Sequence, residues 1–160
     1  VIDVCTFEGG TQGGLINPEN GGLTEGTASR MRFPAPRRTL LGGPFANKPS
    51  DPTVAFWTSE LSADVSFDVP VGAVAFYYAA YWPVTLEASD SSKNVIATTV
   101  GAGNWVYGQG LVAWDVLSVE TEENLISSVR VTSYPNATLL DNFTTVIKDP
   151  LVEVEMDLKL

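Results

Sequence analysis

Residues 151–160 read LVEVEMDLKL. In an extended chain Glu153, Glu155 and Asp157 share one face, with successive carboxylates roughly 7 Å apart. Glycoside hydrolysis needs two carboxylates about 5 to 9 Å apart across the scissile bond. Paired carboxylates are the catalytic device this composition most readily assembles, because the chain contains no histidine. That absence removes Ser-His-Asp and Cys-His arrangements, His-ligated metal sites and imidazole acid–base pairs. The single cysteine, Cys5, sits in the apolar run VIDVCTF and is expected to be a buried structural thiol rather than a nucleophile. A solvated strand face accounts for Glu153, Glu155 and Asp157 without chemistry, so no catalytic role is expected. The opposite row, Val152, Val154, Met156, Leu158 and Leu160, asks more of the fold, since each large side chain gains roughly 1.5–3 kcal/mol on full burial. Two partners fit it: the chain's own sheet, reached through the Lys148-Asp149-Pro150 break, or the open edge of a second copy.

The second chemistry on offer is sugar recognition, in which flat aromatic rings stack on pyranose faces while nearby polar groups meet the hydroxyls. Trp105 and Tyr107 lie in the glycine-flanked segment GAGNWVYGQG, beside Asn104 and Gln109. Their i, i+2 spacing puts both rings on one side if the segment is extended. Tyr77, Tyr81 and Trp82 in AVAFYYAAYW are further candidates. The competing assignment for all of these rings is ordinary core or strand-edge packing. Arg30, Arg32, Arg37 and Arg38 gather four of the nine basic residues in one segment, where local ion pairs in a solvated loop explain them as well as an anion site does.

These residues must be positioned by strands. The chain has 160 residues and a net charge of −10, with 44% hydrophobic and 18% charged side chains, 14 glycines and 10 prolines. That length fits one domain, and the acidity argues against nucleic-acid binding. No apolar run approaches the ~20 residues that span a bilayer. Helical periodicity is nearly missing; the one candidate is a turn around Glu120–Asn124. After residue 53 strand signals dominate: VAFWT, DVSFDV, AVAFYYAAYW, VTLEAS, NVIATTV, LVAWDVLS, ISSVRVTSY and TLLDNFTTVI. They are separated by turn chemistry such as VPVG, YWPV, SDSSKN, GAGN, TEEN and YPNA. In AVAFYYAAYW, Val74, Phe76, Tyr78, Ala80 and Trp82 alternate with Ala75, Tyr77, Ala79 and Tyr81, and one of the two sets must enter a core between sheets. Residues 9–53 are instead rich in Gly and Pro, with ASRMRF as a short strand among loops that either wrap the sandwich edge or wall a binding site.

TFEGG near the start, LLDNFTT near the end, and VSFDVPVGAVAFYY, VTLEASDSSKNVIATT and ISSVRVTSYPNATLLDNF between them resemble the galactose-binding-like jelly-roll domains. That group includes many carbohydrate-binding modules, and the likeness covers roughly residues 2–148. It implies a structural calcium ion shared by an early and a late acidic residue, here Glu8 and Asp141, with Asn142 as an oxygen donor. Calcium's need for six to eight oxygens fits such a set completed by loop carbonyls; the alternative is a strand-entry Asp and a solvated Glu. Asn136 and Asn142 also head glycosylation sequons, Asn136-Ala137-Thr138 and Asn142-Phe143-Thr144. Asn142 has room for one of its two roles.

The expected fold is a single all-β domain: an antiparallel jelly-roll β-sandwich of about eight to ten strands over residues 1–148, with a long Gly/Pro-rich N-terminal loop region. Residues 149–160 form a C-terminal strand that closes the sheet or adds to a neighbour. The expected function is a non-catalytic carbohydrate-binding or adhesion module, extracellular or at the cell surface. A chain that starts at Val1 is expected to be a processed product. The alternative is a self-associating structural subunit of a filament or surface assembly, joined through the C-terminal strand; a glycosidase or polysaccharide lyase comes third.

Overall fold

The computed structural model describes residues 1–5, 24–25, 29–33, 38–41, 54–57, 62–111, 113–134 and 137–150, with the backbone alone at 24–25, 38–41 and 54–57. Glu8, Asn136 and the row Val152, Val154, Met156, Leu158 and Leu160 lie outside the described residues. Within them the chain is an antiparallel sandwich of two sheets. The strands are β1 (Ile2–Cys5), β2 (Thr24–Glu25), β3 (Met31–Arg32), β4 (Arg38–Leu41), β5 (Val54–Trp57) and β6 (Ser62–Val71), then β7 (Ala73–Ala80), β8 (Val84–Ser89), β9 (Val95–Gly101), β10 (Asp115–Glu120), β11 (Ile126–Thr132) and β12 (Thr138–Val146). Two of these, β2 and β3, are two-residue pieces, which leaves ten longer strands among the described residues.

One sheet runs β10-β7-β12-β1-β2, with β5 also on β12 and β4 on β5; the other runs β3-β6-β11-β8-β9. From β6 to β12 the chain changes sheet at every connection except the β8–β9 hairpin, which gives the jelly-roll wrapping. Alternation drives it. In β6, Ala63, Val65 and Phe67 face inward while Ser62, Asp64, Ser66 and Asp68 face water, the pattern of a half-buried strand. In β7 the inward set is Val74, Phe76, Tyr78 and Ala80, which joins Leu140 and Phe143 of the neighbouring β12 and Leu86, Ile126, Val129 and Val131 of the other sheet in one core.

Three local readings differ from the sequence expectations. Pro70 does not end its strand; β6 continues to Val71 and the chain turns at Gly72. Pro70 lies where β6 and β11 slip register, between the Ile126–Val71 and Ser128–Ser66 pairs, so a missing N–H is tolerated there. Leu111, Ala113 and Trp114 of LVAWDVLS are not strand. Leu111 and Trp114 pack on Ala79 and Leu139, on the outer face of the β7–β12 sheet, and this burial calls for the apolar residues that read as a strand. Residues 121–125, the one helical candidate, form a bend between β10 and β11.

The ends of the sandwich are closed by polar groups. At one end Asp3 is buried, and its Oδ2 accepts the Ser29 N–H at 2.5 Å and the Ser29 hydroxyl at 2.6 Å, while Thr145 donates to Ser29 Oγ at 2.9 Å. A buried carboxylate is held by such hydrogen bonds. At the same end Lys148 Nζ bonds Glu120 Oε1 at 2.7 Å and the Thr121 carbonyl, and the Asn124 amide clasps the Lys148 backbone at 2.7 Å in both directions. The Lys148 hydrogen bond holds the Glu120 carboxyl below its usual range. On the sheet faces, Arg32 pairs with Asp68 and Arg130 with Asp64, each at 2.7 Å. The Arg32 hydrogen bond lowers the Asp68 carboxyl, and Asp64 raises Arg130. These are exposed pairs, screened by water, of the sort that contribute little to stability.

Candidate functional site

The opposite end collects the aromatic residues. Tyr81 and Trp82 form the β7–β8 turn, and Gly103 and Trp105, in the connection from β9 to β10, pack against it. Asn104 fixes that segment. Its Oδ1 accepts the Ala80 N–H at 2.7 Å, its Nδ2 donates to the Tyr78 carbonyl and to Asp115 Oδ2 at 3.1 Å each, and its own N–H donates to the Ala80 carbonyl at 2.8 Å. The side-chain amide thus takes the place of a backbone rung at the end of β7. With both Nδ2 hydrogens engaged inside the protein, Asn104 serves the site by holding the loop rather than by offering free donors.

Tyr78 adds a second anchor. Its ring is buried in the core and its hydroxyl donates to the Ala102 carbonyl at 2.9 Å. Burial, with the Asp115 charge nearby, raises the phenol above its ordinary value and keeps it a neutral donor. Gly103 lies against the Tyr81 backbone; a Cβ there would meet the Tyr81 carbonyl oxygen at 2.5 Å, so only glycine allows this approach.

Beyond these anchors the loop turns tightly. The Val106 carbonyl accepts the N–H groups of Gln109 at 3.0 Å and Gly110 at 2.8 Å. Gly108 occupies the third turn position with φ of +76°, the left-handed geometry that a type II turn requires. Tyr107 therefore stands at the tip, 88% exposed, with Trp105 at its base 44% exposed. The Trp105 ring lies 5.8 Å from Tyr81, tilted 33°, and 6.1 Å from Tyr107, tilted 55°. Trp105 and Tyr107 do share a side, through the turn rather than through an extended strand. Gln109 is exposed beside them.

Trp82 points the other way. Its ring meets Tyr134, which follows β11, at 5.8 Å and 44°. Around this pair opens a cleft of about 360 Å³ lined by Trp82, Pro83, Thr85, Thr132, Ser133 and Tyr134. Tyr134 was not among the sequence candidates. The signal available was the YPNA turn, which places a tyrosine at the end of β11 beside the YWPV turn. Tyr77, by contrast, lies away from the cluster, mid-strand on the outer face of its sheet opposite Val116.

The residues proposed for calcium lie elsewhere. Asp141 is fully buried, opposite Tyr77 in the β7–β12 ladder, and its Oδ1 accepts the Asn142 N–H at 2.8 Å. Asn142 has φ of +49° and, with Phe143, forms a bulge between the Asp141–Tyr77 and Thr144–Ala75 pairs. Its Oδ1 is enclosed and has no hydrogen-bond partner among the described residues. No group of three metal-ligating side chains gathers among the described residues. No helix among them is long and apolar enough to cross a membrane.

No protein-family model matches the chain, and no curated protein does either. Among solved structures, the cleaved K2 adhesin domain of Lys-gingipain is similar at 13% identity and a TM-score of 0.58, over 92% of this chain and 100% of that domain. A family 61 carbohydrate-binding module in complex with β-1,4-galactotriose is 18% identical at a TM-score of 0.49, covering 86% of this chain and 100% of its own. A family 29 carbohydrate-binding module is 8% identical at 0.47, covering 94% and 99%. The likeness to the adhesin domain is one of fold, and it agrees with the jelly-roll sandwich expected from the sequence.

Proposed function

We propose that this domain is a non-catalytic carbohydrate-binding module of an extracellular or cell-surface protein, with Tyr81, Trp105 and Tyr107 as its sugar-stacking shelf. The observation that carries the reading is three exposed rings in a row, Tyr81 against Trp105 and Trp105 against Tyr107, on a loop whose Asn104 anchor is satisfied internally. An exposed, rigid aromatic cluster costs solvation and is kept where a flat ligand face covers it. Gln109 and the Tyr107 hydroxyl offer hydrogen bonds at its margin. The shared sandwich with a domain named an adhesin supports the same setting. The test is affinity electrophoresis through galactan, glucomannan and mixed-linkage glucan. Retardation in at least one gel, lost in Trp105→Ala with an unchanged melting temperature, is expected; no retardation in any gel would sink the reading. Truncation of a central aromatic anchor typically costs ~2 kcal/mol or more, or about 30-fold in affinity.

A structural calcium ion at Asp141 and Asn142 belongs to the same proposal. The enclosed, unpartnered Asn142 Oδ1 beside a buried Asp141 is the kind of oxygen pair a hard cation takes up, and an oxygen donor suits that enclosed amide better than a glycan does. Glu8 is the further ligand that the sequence suggests. Calcium should then raise the melting temperature and a chelator lower it, by binding the native state alone. An unchanged melting curve with both additives would remove the ion.

A further inference from the structure

We infer that the Trp82–Tyr134 cleft is a second sugar subsite, and that the ligand is a neutral glycan chain that crosses the rim from the shelf into the cleft. The inference rests on the shelf reading above and extends it to the length and charge of the ligand. Tyr81 and Trp82 are consecutive, yet their rings join different groups, Tyr81 with Trp105 and Trp82 with Tyr134. The turn is thus a ridge with an aromatic surface on each side, and a ligand covering both must be a chain.

The cleft has the chemistry of a pyranose site. Two half-exposed rings, Trp82 at 55% and Tyr134 at 59%, supply an apolar wall. Thr85 and Thr132, paired across β8 and β11, line the same space, with the buried Ser133 beside them. Its volume, about 360 Å³, falls within the roughly 300–1,000 Å³ of small-ligand sites. Two residues farther along the same face lie Glu87 and Arg130, and Arg130 is already engaged by Asp64 through Nε at 2.7 Å and Nη2 at 3.1 Å. No charged side chain is among the described residues that line the cleft, and the chain's charge of −10 repels polyanions. The ligand this surface fits is uncharged.

The experiment is calorimetric titration of wild type, Trp105→Ala, Tyr134→Ala and Thr132→Val with a length ladder of oligosaccharides. The ladder is cut from whichever of galactan, glucomannan or mixed-linkage glucan retards the protein, and polygalacturonate serves as the acidic probe. Thr132→Val keeps shape and strand preference while deleting the hydroxyl, so it guards against a Tyr134→Ala protein that folds poorly. Wild-type affinity should climb with length. Tyr134→Ala should bind the shortest member as wild type does and lose ~10-fold on the longest, Thr132→Val should lose several-fold on the longest alone, and polygalacturonate should not bind. Wild-type behaviour of Tyr134→Ala and Thr132→Val at every length, with Trp105→Ala still defective, would overturn the cleft and leave the shelf standing. An equal loss at all lengths, or tight polygalacturonate binding, would overturn the neutral, rim-crossing chain. If no polysaccharide retards the protein, or Trp105→Ala binds normally, the shelf falls and the cleft falls with it.

Discussion

Phe143→Ala should lower the stability of the domain by about 3–5 kcal/mol, the usual range for removing a buried phenylalanine. Phe143 has no exposed surface, stacks on Phe76 at 5.5 Å and 14°, and receives Phe33 edge-on at 5.5 Å and 77°. It joins β12 and β7 of one sheet to the residue that follows β3 of the other, so its ring occupies the space between layers. It also depends on the bulge: with Asn142 in the left-handed region, β12 can bury Leu140, Phe143 and Thr145 in one strand. A loss of that size is a large share of the ordinary 5–15 kcal/mol of a folded domain. Denaturant unfolding measures it, and Phe143→Leu should recover part of the loss. A change below ~1 kcal/mol for Phe143→Ala would mean the inter-sheet core is centred elsewhere.

Asn104→Asp is the larger test of the site itself. The substitution keeps an oxygen for the Ala80 N–H but replaces both Nδ2 donors with a carboxylate oxygen. That oxygen would face the Tyr78 carbonyl and Asp115 across the 3.1 Å now spanned by hydrogen bonds. Leaving a half-buried acceptor unmatched and adding a like charge should cost about 2 kcal/mol of stability. Glycan affinity should fall by a comparable factor, because the loop that aligns Trp105 with Tyr81 loses its rung. Asn104→Ala should lie between, without the repulsion. Asn104→Asp with wild-type stability and wild-type binding would remove its positioning role.

Much of this architecture was legible in the residues, because period-two alternation reports burial directly. β6, β8 and the inward row of β7 follow from it. The apolar run at LVAW misled instead, since Leu111 and Trp114 bury on the outside of a sheet rather than between sheets; burial leaves an apolar mark on the sequence in either place. The candidate rings were readable as a set, but which of them meet was not. Trp105 and Tyr107 come together through a glycine turn, and Tyr81 and Trp82 part company at a ridge, both consequences of tertiary placement. Asn104 reads as a free polar group in a glycine-rich loop until its partners on β7 are known. Tyr134 was missed because its distance along the chain from Trp82 hides their meeting at the end of β8 and β11.

Val1, whose ammonium donates to the Ile147 carbonyl at 2.7 Å, and Lys148 both lie at the end of the sandwich away from Tyr81, Trp105 and Tyr107. The long axis of the sandwich thus separates the aromatic end from residues 1 and 148.

The most direct test of the central claim is a nuclear magnetic resonance titration that follows the indole N–H signals of Trp57, Trp82, Trp105 and Trp114 as oligosaccharide from the retarding polysaccharide is added. Trp105 should shift most and Trp82 should follow with longer chains, while Trp114, packed on Leu111 and Leu139, should stay in place. Saturation of the protein by glycan with the Trp105 signal unmoved would contradict it.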